Sequence, residues 1–172
     1  KVVNAHKGIS AQTTTILGSE AHSSQTHRAV SAVFYASRVM GFIEALANRH
    51  REGPGDDRFD PPFTTFNVGR VEGGAAVNIV PRYCRFEWEF RPIPGADLAA
   101  ILGEVDSFVR EELLPEMRGR FDGADIVFTE MSGFPGLTTQ DDAEVTQVCR
   151  HLAASNETAK VSFGTEAGLF SE

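Results

Sequence analysis

The sequence predicts an α+β fold of the split β-α-β kind, a four-stranded antiparallel sheet carrying two helices on one face. Three observations carry that expectation. "RYCRFEWEFR", residues 82–91, alternates apolar and polar side chains without error, so one side of that strand belongs to a core. Two long stretches, from about His27 to Arg49 and from Leu98 to Leu113, instead repeat apolar residues at helical spacing. Laid along the chain, the extended and helical stretches follow the order β-α-β-β-α-β.

The first strand is "ISAQTTTILG", residues 9–18, rich in Thr and Ile and ended by Gly. The first helix follows, with Thr26 or Ser24 as its cap. Val30, Val33, Phe34, Met40, Ile43 and Ala47 fall on one side of it, with Val39, Phe42 and Leu46 beside them. That face is broader than one sheet can cover, which favours self-association. "REGPGDDRFDPPF" is a loop by its Gly, Pro and Asp content. "TTFNVGRV" then reads as a strand with Phe66 and Val68 on one face, and "GGAAVNIVP" as a glycine-led turn into an extended segment.

Asp97 caps the second helix, whose stripe runs Leu98, Ile101, Leu102, Val105, Phe108, Val109, Leu113; Pro115 should end or kink it. "ADIVFTEM", residues 124–131, is the fourth strand and completes a ferredoxin-like order. A joint, "SGFPGLTTQ", leads to a third helix from about Asp141 to Ala154 and a short strand, "AKVSFG".

Composition excludes several classes of function. The 172 residues carry a net charge of −8, which opposes nucleic acid and anionic membrane surfaces. The aromatic residues of the alternating strand also fall on the face that helices should cover, not on an open RNA-binding face. The apolar run from Ala29 to Ala47 is broken by Arg38 and Glu44, so it is no membrane span, and a cytoplasmic location is expected. Cys84 and Cys149 have no CxxC spacing. The chain opens without Met and stops at "GTEAGLFSE", and reads as a piece of a longer protein.

Chemistry candidates are few. His6, His22, His27, His50 and His151 form neither HExxH nor HxH, and no metal site is expected. Asp56–Asp57 and Asp141–Asp142 read as a solvated loop and a helix start, and no GxSxG occurs. "GRVEGG" lacks the strand–glycine–helix setting of a nucleotide loop. His22 stands in "GSEAHSSQTHRAV" among short polar side chains, where a strand gives way to a helix. Read bare, it is a turn residue, though the setting suits presenting an imidazole rather than burying it. Asn78 is either a turn residue bonding its own backbone or a group at the lip of the sheet. Arg91 ends the alternating strand on its polar face, where the plain reading is a surface ion pair with Glu87 or Glu89. Gly164 and Thr165 join a strand to a helix, where free N–H groups can hold a carboxylate.

Four separated segments, "NAHKG", "EAHSSQTHRAVSA", "GGAAVNIVPRYCRFEWEFR" and "FGTEAGLF", together resemble the acetylornithine deacetylase branch of the aminoacylase and desuccinylase family of two-zinc amidohydrolases. The resemblance implies that residues 6–132 are a lid and dimerisation domain, and residues 133–172 a partial return to the catalytic domain. It implies a homodimer through the lid, a small N-acyl amino acid substrate, N-acetylornithine in arginine biosynthesis, and zinc (or cobalt) in the full-length parent. The metal ligands and the glutamate general base would lie outside this chain, which alone is expected to bind no metal and hydrolyse nothing. His22 would reach from one subunit into the other's active site and hydrogen-bond the oxyanion. Asn78 and Arg91 would grip the substrate, Arg91 through a carboxylate, and Gly164 and Thr165 would contact the α-carboxylate. The competing expectation is a stand-alone split β-α-β module that binds a small molecule or a protein and catalyses nothing.

Overall fold

The computed structural model describes residues 1–170. Four long strands, β2 (Ile9–Leu17), β4 (Thr65–Gly73), β6 (Tyr83–Arg91) and β7 (Asp125–Phe134), form an antiparallel sheet in the order β4-β6-β2-β7. Two helices cover one face of it, α1 (Ala32–Glu52) and α2 (Leu98–Phe108). This is the expected split β-α-β architecture. The alternation of β6 resolves as read: Cys84, Phe86, Trp88 and Phe90 are buried beneath the helices, while Tyr83 stays open.

The central strand β2 sends Ser10, Gln12, Thr14 and Ile16 to the same side, opposite Phe90, Trp88, Phe86 and Cys84. Buried polar groups of this kind are tolerated only when paired. Here the Trp88 indole N–H donates to Thr14 Oγ1 at 2.9 Å, and the Gln12 amide donates to Ser10 Oγ at 3.1 Å.

Helix α1 begins later than its composition suggests. Residues 23–28 wind instead as a 3₁₀ turn, Ala29 is extended, and the cap is Ser31, whose Oγ accepts the Phe34 N–H at 3.4 Å. The later start re-aims the helix: Ala32, Tyr35, Ala36, Val39, Ile43 and Leu46 form the buried stripe, and Phe34, read as a core residue, is 71% exposed. The reason is tertiary: the Ser19 N–H donates to the Val30 carbonyl and the Val30 N–H to Ser19 Oγ, which holds the preceding residues out of the helix. Pro115 neither ends nor sharply stops the second helix. A π turn over Val109–Leu113 precedes it, and the helix continues as α3 (Leu114–Arg118). Proline lacks the N–H that would continue the ladder, and one extra residue per turn absorbs the loss.

A second sheet lies at one end. β1 (Val2–His6), which the sequence pattern did not reveal, pairs antiparallel with β8 (Leu137–Thr138) and parallel with β9 (Thr158–Val161). The last helix, α4 (Glu144–Leu152), starts three residues after Asp141. The chain passes between the two sheets twice, at Lys7–Gly8 and at Pro135–Gly136, and the two crossings touch. A Cβ on Gly136 would stand 2.9 Å from the His6 carbonyl oxygen, and one on Gly8 would stand 3.0 Å from Gly136 N. Lys7, fully buried, donates through Nζ to the carbonyls of Pro61 (2.8 Å) and Phe63 (2.7 Å), tying the 53–64 loop to this joint. Burial pushes its ammonium below the usual lysine range, and nearby Asp60 opposes that in part.

Phe86→Ala is expected to cost about 3–5 kcal/mol, because a wholly buried ring leaves a cavity under both helices; denaturant unfolding reads it, and a loss under about 1 kcal/mol would contradict this packing. Lys7→Met is expected to cost about 1–3 kcal/mol by leaving two carbonyls without a donor, read as a lower thermal midpoint.

Candidate functional site

Between β2 and α1, residues 18–31 form an arm on the sheet's Leu17/Tyr83 end. Gly18 lets the chain turn there. Its N–H donates to the Arg82 carbonyl at 2.7 Å, and a Cβ would fall 2.0 Å from the Val30 carbonyl oxygen. Beyond it, β3 (Ala21–His22) pairs with β5 (Ile79–Val80), Ala21 opposite Val80 and His22 opposite Ile79. The Ser23 N–H then donates to the Asn78 carbonyl at 2.9 Å. Two of the candidate residues, His22 and Asn78, are thus brought to one rim. Both are exposed.

His22 caps the 3₁₀ turn Ser23–Arg28 with its own ring. Imidazole Nδ1 accepts the Ser24 backbone N–H at 3.3 Å and lies 2.9 Å from Ser24 Oγ. A backbone N–H can only donate, so in this arrangement Nδ1 is the acceptor and Nε2 is the nitrogen left to carry a proton. The exposed nitrogen is therefore a hydrogen-bond donor. Nothing in the composition of "HSS" fixed this tautomer; it follows from the ring's use as a cap.

The other candidates gather elsewhere. Arg91 closes β6 at the far end of the strand from Tyr83, about 26 Å away at the usual rise per residue. Its guanidinium holds Glu89 with two bonds, Nε to Oε1 at 3.0 Å and Nη2 to Oε2 at 2.9 Å. The next residue, Pro92, accepts the Gly8 N–H at 3.0 Å, so Arg91 stands beside the joint between the sheets. Gly164 lies there too. Any side chain on it would strike the Phe134 ring at 2.4 Å and approach the Lys7 carbonyl. Thr165 Oγ1 accepts the Ala167 N–H at 3.3 Å at the start of a 3₁₀ turn, Glu166–Phe170, where a helix was expected. His22 and Asn78 occupy one rim; Arg91, Gly164 and Thr165 occupy the other.

Among the described residues no three His, Cys, Asp or Glu side chains lie close enough together to hold a metal ion. His6 is buried at the joint, its Nδ1–H donating to the Lys7 carbonyl at 2.9 Å, with Nε2 unpartnered among the described residues. No described helix is long and apolar enough to cross a membrane.

A cluster that sequence reading missed lies under the arm. Glu116 accepts from Tyr35 Oη at 2.8 Å and from Arg38 Nη1 at 2.6 Å. Arg38, and then the Tyr35 hydroxyl, hold its carboxyl below the ordinary range. Arg120 Nη2 donates to the Thr26 carbonyl in the arm at 3.2 Å. These groups are 78 to 94 residues apart in the chain, and no local pattern announces them. They border a groove of about 810 Å³, with Phe34, Ile79 and Pro81 on its apolar side.

Comparison with known proteins agrees with this architecture. Residues 4–117 match the family described as the peptidase dimerisation domain of the M20 type. An acetylornithine deacetylase of Myxococcus xanthus is 36% identical over 170 residues, covering 99% of this chain and 43% of that protein. One from Erwinia tasmaniensis is 30% identical over 167 residues, covering 97% of this chain and 42% of its own length. The chain thus spans less than half of the curated relatives it matches. Among solved structures, an aminopeptidase of Bacillus cereus superposes with a TM-score of 0.69 at 23% identity, covering 98% of this chain and 42% of that one. A tripeptidase of Staphylococcus aureus gives 0.67 at 24% identity, covering 98% and 41%. The split β-α-β body with its His22 arm belongs to the M20 peptidase dimerisation domain family.

Proposed function

We propose that this chain is the lid and dimerisation part of an amidohydrolase that deacylates an N-acyl amino acid, N-acetylornithine in the first instance, and that His22 serves the active site of a second subunit. The observation that carries this reading is the exposed imidazole, whose Nδ1 is taken up by the Ser24 N–H so that Nε2 is left to donate, on an arm where the described residues form no metal-binding group. The names of the curated relatives support the substrate class.

The chemistry asked of His22 is modest and well matched to its state. When water adds to an amide carbonyl, negative charge gathers on the former carbonyl oxygen. An Nε2–H aimed at that atom bonds it more strongly in the transition state than in the ground state, without transferring a proton. The Asn78 side chain, on the same rim, supplies a second polar group toward the substrate. Its amide has no hydrogen-bond partner among the described residues.

Arg91, Gly164 and Thr165 would serve the subunit's own cleft, at the joint. Arg91 already grips a carboxylate in bidentate fashion, so holding a substrate carboxylate means exchanging Glu89 for it. Residues 6–132 make the lid, and residues 133–172 start the return to the catalytic domain. The described side chains form no group of three that fits zinc or cobalt, so a metal in the full-length enzyme would be held by residues outside them.

Self-association has a physical basis in the same region. Phe34 stands 71% exposed on α1, and β4 is an edge strand with an unpaired outer side. Joining two copies would cover both.

In the full-length enzyme, His22→Ala is expected to lower kcat by about 10²–10³-fold, equivalent to ~3–4 kcal/mol. Metal content should be unchanged. Steady-state hydrolysis of N-acetylornithine with metal analysis reads both, and an unaltered kcat would rule out the oxyanion role.

A further inference from the structure

We infer that Arg120 is a positioning residue for His22, acting through the arm rather than on the substrate; this rests on the oxyanion role proposed for that histidine. The arm's 3₁₀ turn, Ser23–Arg28, buries none of its residues, so packing does little to fix it. Its N-terminal end is anchored by the His22–Ile79 pairing and by the Ser23 N–H on the Asn78 carbonyl. Past that point, among the described residues, one hydrogen bond reaches Ser24–Arg28 from outside the arm: Arg120 Nη2 to the Thr26 carbonyl, 3.2 Å. Thr26 O also accepts the Ala29 N–H at 3.3 Å, so it closes the turn whose first residue is capped by the His22 ring. A guanidinium at such a carbonyl is a charge-assisted C-terminal cap.

Arg120 is itself held in place. It follows α3 in a tight turn, with its N–H on the Met117 carbonyl at 3.1 Å, and Met117 is fully buried. Its charge bears on the Glu116 carboxylate and the Tyr35 hydroxyl, which join α3 to α1. The π turn before Pro115 sets this geometry. Without the extra residue, Glu116 would be rotated by about 100° around the helix. The path from the core to the imidazole therefore runs Met117, Arg120, Thr26, His22.

The test is a double-mutant cycle in the full-length enzyme on N-acetylornithine. Arg120→Ala alone should lower kcat about 10-fold with KM nearly unchanged, since a loosened donor loses transition-state alignment and little ground-state binding. Arg120→Lys, which keeps a charged donor, should recover most of that loss. In the His22→Ala background, Arg120→Ala should lower kcat no further, because it has nothing left to position. Three results overturn the inference: an unchanged kcat for Arg120→Ala while His22→Ala is impaired; a loss of equal size in both backgrounds; or a loss that Lys does not relieve. If His22→Ala itself were fully active, the oxyanion reading would fall and this inference with it.

Discussion

A ladder of two residues on each strand, Ala21–His22 against Ile79–Val80, is the constraint on which the rest depends. It lies outside the main sheet and buries only Val80 of its four residues. What it does is fix the backbone at His22, so that the ring folds back onto the Ser24 N–H and turns its protonated nitrogen to solvent. Gly18 permits the turn that starts the arm, the Ser19–Val30 bonds close it, and the delayed start of α1 follows from that closure. One short arm thus determines the tautomer of the histidine, the buried face of a 21-residue helix and the exposure of Phe34.

The sheet separates two kinds of work. Its apolar face, filled by Phe86, Trp88 and Phe90 under α1 and α2, is a rigid platform. Its two ends carry polar groups of different character. At the arm end His22 is exposed, and no three metal-ligating side chains gather beside it among the described residues. At the joint end, Arg91, Gly164 and Thr165 crowd against the crossing strands, with Lys7 buried at the centre of the crossing. A strand of rigid sheet about 26 Å long lies between them. Groups so held stand far apart within one subunit, which is the physical reason for proposing that the arm serves a neighbour's cleft.

Much of the body was legible in the sequence because its signals are local. The alternation over 82–91 named the buried face of the strand, and Asp97 was the cap it looked to be, accepting the Ala100 N–H at 3.0 Å. The errors share a different origin. Phe34 was placed in the core because helical periodicity was counted from His27, whereas tertiary bonds from Ser19 move the true start to Ala32. Pro115 was expected to end or kink the helix, because periodicity has no means of foreseeing the π turn that precedes it. The strand Val2–His6 went unread since its partners lie more than 130 residues away. His22 and Asn78 could be singled out by their setting, but that they share a rim comes only from the pairing of β3 with β5. The Glu116 and Arg120 contacts are invisible for the same reason.

The central claim is that the imidazole of one subunit completes the site of another, and mixed dimers test it most directly. One subunit would carry His22→Ala; its partner would keep His22 but have its metal site, outside this chain, emptied by substitution. Each parent homodimer is inactive. If His22 acts across the interface, co-refolded mixtures regain activity, roughly one quarter of the wild-type value for random pairing, with the KM of the intact enzyme. If the ring serves its own subunit, no combination of these two chains holds a complete site, and a mixture as silent as its parents would contradict the account.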